Sequence, residues 1–456
     1  MTFPEAPIPL TDGRFTLPGN RWDLLAAVAA GTPSVAVIIP YYNQQHDLDL
    51  VLHALELQDY PLDAITVVVA DDGSTQAPTL RAPRLRVEVV QQADRGFRAA
   101  AARNLGVSHS AADILCFLDA DTVPEPGYLR NITRLPALAP DVLVVGHRMH
   151  AELDDWTPAD LPDWWSGRRA PRVLDEPQWL SDEYRRSSDL LRIDHRSYRY
   201  LISSVMCCSR TLFESVGGFD ETFCHYGGED WEFAHRALAG GALLHHARDA
   251  LAWHNGPDWA GRVTEDRVAG KNIEALALAR RITDPDARTT GLRYELPDIA
   301  VRIPADEHTA GSLVATMSCF LHEDVGIWVS GPEAERLLRD AGTEDQRIRS
   351  GPIPDSVLQR CRFVVDTAGR PVLPRSSFTE LVRRCGETDV GSVTVTTPGA
   401  HLGCRSSWSA NRARRWSDGD VRFCDPADAQ RLGHSLAIAA DQVRLVCGDS
   451  APDLSW

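Results

Sequence analysis

Between residues 34 and 121, apolar positions fall in short continuous runs separated by segments of helical spacing. Ser34 to Ile39 is a β-branched run that predicts a buried strand ending at Pro40. Leu48, Val51, Leu52 and Leu55 recur at helical spacing, and that helix stops before Pro61. Ile65 to Ala70 predicts a second strand, Leu85 to Val90 a third and Ile114 to Leu118 a fourth. An Ala-rich helix, Arg98 to Val107, joins the last two. Continuous apolar strands alternating with helices predict a mostly parallel sheet covered on both faces. Ligands of such sheets bind beyond the carboxyl ends of the strands. Three of these ends carry polar clusters: Tyr41-Tyr42-Asn43, Asp71-Asp72 and Asp119-Ala120-Asp121.

The rhythm breaks from about Ala151 to Tyr200, a stretch rich in Trp, Arg and Asp that contains Trp156, Trp164, Trp165 and Trp179. It reads as an inserted segment beside the site, with packing the plainer role for its tryptophans. Leu201 to Cys207 predicts a strand, and Gly227-Gly228-Glu229-Asp230 opens a helix that Gly240-Gly241 closes. Ala242 to His246 and Ala250 to His254 read as two short strands, and Trp259 to Ile282 as a long helix. Thr283-Asp284-Pro285-Asp286 reads as a linker. The expected organisation is a lead-in over 1–33, an α/β domain over 34–285 and a second α/β domain over 286–456. The second domain carries an echo of the first. Ala300 to Pro304 parallels Val35 to Pro40, and Phe363-Val364-Val365-Asp366-Thr367 parallels the run from Phe117 to Asp121. Ala368 falls where Asp121 would, so a degenerate, non-catalytic copy is the expectation.

The length of 456 residues agrees with two or three domains. A net charge of −17 repels phosphate backbones and argues against general nucleic-acid binding, though not against one small anion in a local site. No apolar stretch reaches the ~20 residues of a membrane span, and Met1 to Pro7 lacks the basic and apolar regions of a signal peptide. The expected location is therefore cytoplasmic. Ten cysteines include no C-x-x-C pair, and the adjacent Cys207 and Cys208 suit neither zinc nor an ordinary disulfide, so buried free thiols are expected.

Asp119 and Asp121 place two hard oxygen donors together at a strand end, the chemistry that magnesium or manganese favours. Alone, such a pair is an ordinary turn; beside Asp71-Asp72 on the same edge it gains meaning. Glu229 and Asp230 follow two glycines, where a carboxylate can act as general base or simply favour a helix start. His254 is a candidate third metal ligand, with His245 and His246 competing for the role. Arg95, Arg98 and Arg103 either neutralise a diphosphate or form a solvated face.

Taken in order, Val37-Ile38-Ile39-Pro40-Tyr41-Tyr42-Asn43, Val69-Ala70-Asp71-Asp72-Gly73-Ser74, Arg103-Asn104-Leu105-Gly106 and Phe117-Leu118-Asp119-Ala120-Asp121 resemble a family 2 glycosyltransferase of the GT-A fold. Gly217-Gly218-Phe219-Asp220-Glu221 and Tyr226-Gly227-Gly228-Glu229-Asp230-Trp231 resemble the acceptor-side segment of β-1,4-galactosyltransferases and of bacterial chondroitin and hyaluronan polymerases. The resemblance covers about residues 34–256. It implies a metal-dependent, inverting transfer from a nucleotide-sugar, with UDP the expected nucleotide, to a saccharide or secondary-metabolite hydroxyl. Pro40, Tyr42, Asn43, Asp72, Arg95, Arg103 and Asp119 would bind the donor, and Asp119, Asp121 and His254 would hold Mn2+ or Mg2+. Asp230 would be the base, with Glu229 holding the acceptor.

The chain departs from membrane-embedded synthases in lacking a Gln-x-x-Arg-Trp segment after Glu229-Asp230. A sugar nucleotidyltransferase would need a Gly-rich basic loop after the first strand, and Pro40-Tyr41-Tyr42-Asn43 supplies none. The remaining rival is a sugar-binding scaffold derived from a transferase, against which the carboxylates at 119, 121 and 230 stand. For the second domain, acceptor binding and homodimerisation are both open.

Overall fold

The predicted strand–helix alternation builds a nine-stranded sheet in the computed structural model, which describes residues 6–258, 267–387, 389–417 and 419–455. Its strands are β1 (Val35–Tyr41), β2 (Ile65–Asp71), β3 (Arg86–Gln91), β4 (Ile114–Leu118), β5 (Thr122–Pro124), β6 (Val142–Glu152), β7 (Arg172–Leu174), β8 (Val205–Ser209) and β9 (Leu243–Asn255). They lie in the order β3-β2-β1-β4-β8-β6-β9-β5, with β7 on the far end of β6. β3, β2, β1, β4, β6 and β9 run one way, so the sheet is mostly parallel; β8, β5 and β7 oppose them. β1, β2 and β4 are almost wholly buried, as continuous apolar runs require. The helix Ala99–Ser108 packs close on this face: a Cβ on Gly106 would lie 2.6 Å from Ile38 Cγ2.

Several elements differ from the sequence reading. The strand expected at Leu201–Cys207 begins instead at Val205, because the preceding residues turn and Ser204 spends its carbonyl on the Asp119 N–H. The two short strands expected around residue 250 are one strand, β9, whose register slips between Ala247 and Leu251. β6 had no counterpart in the reading; its polar second half, from His147, breaks the apolar run. The long helix is described over Arg267–Arg281, and residues 259–266 of that expectation lie outside the described residues. In the inserted segment Trp156 and Trp164 are buried, whereas Trp179 is exposed.

A second sheet follows: β10 (Ile299–Pro304), β11 (Val325–Ser330), β12 (Ile348–Ser350), β13 (Phe363–Gly369), β14 (Val390–Thr397), β15 (Ala400–Ser406) and β16 (His434–Ala439), in the order β12-β11-β10-β13-β15-β14-β16. Four parallel strands, one antiparallel strand and two more parallel strands repeat the order and directions of β3-β2-β1-β4-β8-β6-β9. A tight hairpin joins β14 to β15, where the first sheet carries its long insertion between β6 and β8. The faint echo in sequence thus extends to order and direction over seven strands, β5 and β7 having no counterpart in the second sheet. The registers place Phe363 at Ile114, so Arg370 rather than the expected Ala368 stands at Asp121.

The lead-in packs on the C-terminal part, where Ile8 and Leu10 share a small core with Trp416, Phe423 and Leu432. Asp141, fully buried, accepts from Thr16 Oγ1 and Trp416 Nε1 at 2.7 Å each and pairs with Arg415. All ten cysteines are free; seven are buried, but Cys224 and Cys424 are exposed and Cys447 is half-buried. Among the described residues, no helix is long and apolar enough to cross a membrane.

Candidate functional site

The neighbouring ends of β2, β1 and β4 bring the three polar clusters to one edge, as the parallel order requires. At the end of β2, Asp71 accepts from the Ser74 N–H at 2.9 Å and from Gln91 Nε2 at 3.0 Å, which fixes the turn. The next carboxylate, Asp72, accepts from Gln92 Nε2 at 2.6 Å and the Arg98 N–H at 2.8 Å. Pro40 is half-buried at the end of β1. Tyr42 is 46% exposed, and its hydroxyl donates to Asp94 at 3.4 Å. Asn43 sits at φ 52 and accepts from Thr75 through its side-chain oxygen at 2.9 Å, so its amide holds the loop. Arg95 lies exposed in the segment before Arg98.

Arg103 organises the centre. It is 3% exposed and donates through Nη2 to Asp119 Oδ1 at 2.9 Å and through Nη1 to Glu229 Oε1 at 3.0 Å. Burial opposes its charge, but Asp119 and Glu229 outweigh that and hold its pKa above the usual guanidinium range. One guanidinium thus spans the strand-end carboxylate and the start of the helix Glu229–Ala239. Gly228 makes this start possible. It lies at φ 96, where a side chain is strained, and a Cβ there would sit 3.0 Å from Phe223.

Asp230 follows with its Oδ1 accepting its neighbour Trp231's N–H at 2.8 Å. The residue keeps a solvent-facing edge, yet the carboxyl is packed deeply enough that desolvation, then the Glu229 charge, pushes its pKa up to about 7. Glu229 is buried, and its Oε2 has no partner.

The third group arises from register. β5 pairs with β9 so that Thr122 faces His254, which sets His254 Nε2 3.4 Å from Asp121 Oδ2. His245 packs against Trp22, with burial pushing its pKa down to about 3, and His246 pairs with Asp189 and stacks on Tyr184. Neither faces Asp121. Two carboxylates and an imidazole suit manganese or magnesium as a donor set. They do not close into a compact cluster, and Asp119 Oδ1 is bonded by Arg103. The compact His/Asp group found among the described residues is His195, Asp284 and Asp286, whose carboxylates are engaged by Tyr198, Arg199 and Arg196.

Sequence reading missed Asp47 and Asn255. Asn255 Nδ2 donates to Asp47 at 2.8 Å and to Asp154 at 3.0 Å. Burial raises the Asp47 pKa and the Asp121 charge raises it further, so Asp47 belongs to the same electrostatic site. In sequence it is merely an acid in a first helical turn. Arg148, paired with Asp258 at 3.0 Å, likewise gave no signal.

Residues 36–192 match the family described as glycosyl transferase family 2, and residues 185–247 match the N-terminal domain of galactosyltransferase. Asp119 and Asp121 fall in the first match and Glu229 and Asp230 in the second. The chain is similar to chondroitin synthase of Pasteurella multocida (27% identical over 324 residues, 66% of this chain and 33% of that protein). It is equally similar to chondroitin synthase of Escherichia coli (27% over 336 residues, 69% and 48%). Validoxylamine A glucosyltransferase of Streptomyces hygroscopicus subsp. jinggangensis is 30% identical over 264 residues, 54% of this chain and 59% of that protein. The chain thus spans a third to a half of the length of the two chondroitin synthases.

Proposed function

We infer that this chain, which carries a family 2 glycosyltransferase domain and is homologous to chondroitin and hyaluronan synthases, transfers a sugar from a nucleotide diphosphate to an acceptor hydroxyl with inversion. The observation that carries the reading is the Arg103 bridge, which holds a donor-side carboxylate and an acceptor-side carboxylate on one guanidinium. The domain division at 1–33, 34–285 and 286–456 is part of the same reading, supported by the two separate sheets.

Asp230 is the general base. A carboxyl with a pKa near 7 is poised to take a proton from an attacking hydroxyl at neutral pH. Its Oδ2 makes no hydrogen bond among the described residues, whereas Oδ1 is fixed by backbone. Glu229 Oε2, buried without a partner, is the acceptor atom for a second substrate hydroxyl. Asp72 receives the nucleobase, with Pro40 and Tyr42 lining the pocket and Arg95 and Arg103 neutralising the diphosphate. Asp121, His254 and Asp119, through the carboxylate oxygen that Arg103 does not bond, would hold a divalent cation, manganese or magnesium. Bound there, the cation supplies charge stabilisation for the departing diphosphate. A uridine diphosphate donor and a saccharide or secondary-metabolite acceptor complete the reading, and the relatives include a chondroitin synthase and a validoxylamine A glucosyltransferase.

Calorimetric titration of UDP, GDP and dTDP, with manganese or with a chelator, tests the binding half. The expected result is one nucleotide that binds only with metal, loses binding in Asp121→Ala and keeps it in Asp230→Asn. Metal-independent binding, or no binding of any nucleotide, contradicts the reading.

A further inference from the structure

Away from this site, four helix ends meet at the seam between the two sheets. They belong to the helices Arg210–Val216, Glu229–Ala239, Asp355–Leu358 and Ser407–Arg415. They enclose a pocket of about 330 Å³ lined by Arg236, Arg360, Arg414 and Arg415 together with Gln359 and Asn411. Four guanidiniums in one concavity are notable in a chain of net charge −17.

Their partners do not balance them. Arg236 is spent on Glu232 and on the Val216 and Gly218 carbonyls, and Arg415 on Asp141 and the Gly240 carbonyl. Those contacts cap helix ends and need no ligand. The other two arginines differ. Arg360 reaches Glu232 only as a second donor at 3.3 Å and the Arg281 carbonyl at 3.4 Å, and its Nε is buried without a partner. Arg414 is exposed and donates to the Asn411 amide oxygen at 2.9 Å, with no carboxylate bonded to it among the described residues. Burial lowers the Arg360 pKa, Glu232 opposes that and the Arg236 charge adds to it, so the cation is held in an unfavourable place.

We propose that this pocket binds a phosphate group, as inorganic phosphate or as a phosphomonoester, between Arg360 and Arg414. Tetrahedral oxyanions accept several charge-assisted hydrogen bonds at once, which matches forked donors from two elements. Gln359 adds a neutral amide to the lining, while Asn411, whose Nδ2 donates to the Ala239 carbonyl at 3.0 Å, holds Arg414 through its Oδ1. Arg360 and Arg414 both belong to the second domain, and the first domain reaches the pocket through Arg236 and Gly240, so the anion would sit against the seam on the second domain's side. Glu232, shared by Arg236 and Arg360, lies in the same helix as Glu229 and Asp230, which links occupancy to the transferase site.

The test is calorimetric titration of the full chain with inorganic phosphate and, separately, glucose 1-phosphate, at a fixed ionic strength of about 0.15 M to screen exposed charge. Wild type, Arg360→Gln, Arg414→Gln and Asp121→Ala are compared, with circular dichroism confirming folding. Saturable binding is expected in wild type and unchanged in Asp121→Ala, which separates this pocket from the donor site. Each arginine substitution should weaken it about tenfold. Tighter binding of glucose 1-phosphate than of inorganic phosphate would assign a phosphomonoester, and equal or weaker binding the free anion. No saturable binding, binding indifferent to both arginines, or binding lost in Asp121→Ala overturns the proposal.

Discussion

At Asp230, the burial that lifts the carboxyl pKa to about 7 also works against the fold. The unfolded group ionises near 3.8, so between that value and about 7 the folded state binds the extra proton and stability falls as pH rises. Asp230→Asn should therefore melt above wild type at about pH 8, with the difference vanishing below pH 3.8. Melting curves at several pH values check this. The same substitution should lower turnover about 10²–10⁴-fold, and wild-type kcat/KM should climb with pH through about 7 as the base ionises. The carboxylates at 119, 121, 229 and 230 were legible because each closes an apolar run or follows a glycine pair. Asp47 and Asn255 were not, since their meeting with Asp121 depends on how β5 registers against β9, which no local pattern encodes.

Among the elements, the helix Glu229–Ala239 depends on its entry. Gly228→Ala places a Cβ 3.0 Å from Phe223 and 3.3 Å from Leu278 at a φ of 96. The expected cost is about 1–2 kcal/mol of stability, with a fall in turnover larger than the rise in acceptor KM, because Glu229 and Asp230 shift with the backbone. Chemical denaturation and steady-state kinetics check the two parts. Gly106→Ala tests helix-on-sheet packing instead: a Cβ 2.6 Å from Ile38 should cost about 1–3 kcal/mol. β1, β2 and β4 were read from sequence within two residues of their ends because a strand buried on both faces is a continuous apolar run, and the edge strand β3 was read equally closely from its alternation. β6 and the slipped β9 were not, because each mixes apolar and polar halves and changes surroundings along its length.

Over the whole molecule, two sheets of matching topology are locked by Asp141, which joins the lead-in, the end of β6 and the helix Ser407–Arg415. Asp141→Ala leaves Arg415 and Trp416 unanswered in a buried place and should cost about 3–5 kcal/mol. Calorimetric unfolding should then separate into two transitions where wild type shows one. Sequence hinted at the repeat through Ala300–Pro304 and Phe363–Thr367, but the correspondence rests on strand order, which long-range pairing decides. By strand register Phe363 stands where Ile114 does, so Ala368 falls at the place of Asp119 and Arg370, not Ala368, at that of Asp121; the second sheet carries neither carboxylate there, and the chemistry is assigned to the first alone. The account's central claim is that Asp121 and Asp230 serve one metal-dependent transfer. Its most direct test is nucleotide release from a panel of UDP-, GDP- and dTDP-sugars, with a set of saccharide and secondary-metabolite acceptors, in manganese and in chelator. The account predicts release from one donor, abolished by chelator and by Asp121→Ala, with acceptor-dependent release lost in Asp230→Asn. Release that persists in Asp121→Ala, or no release from any donor with any acceptor, would contradict it.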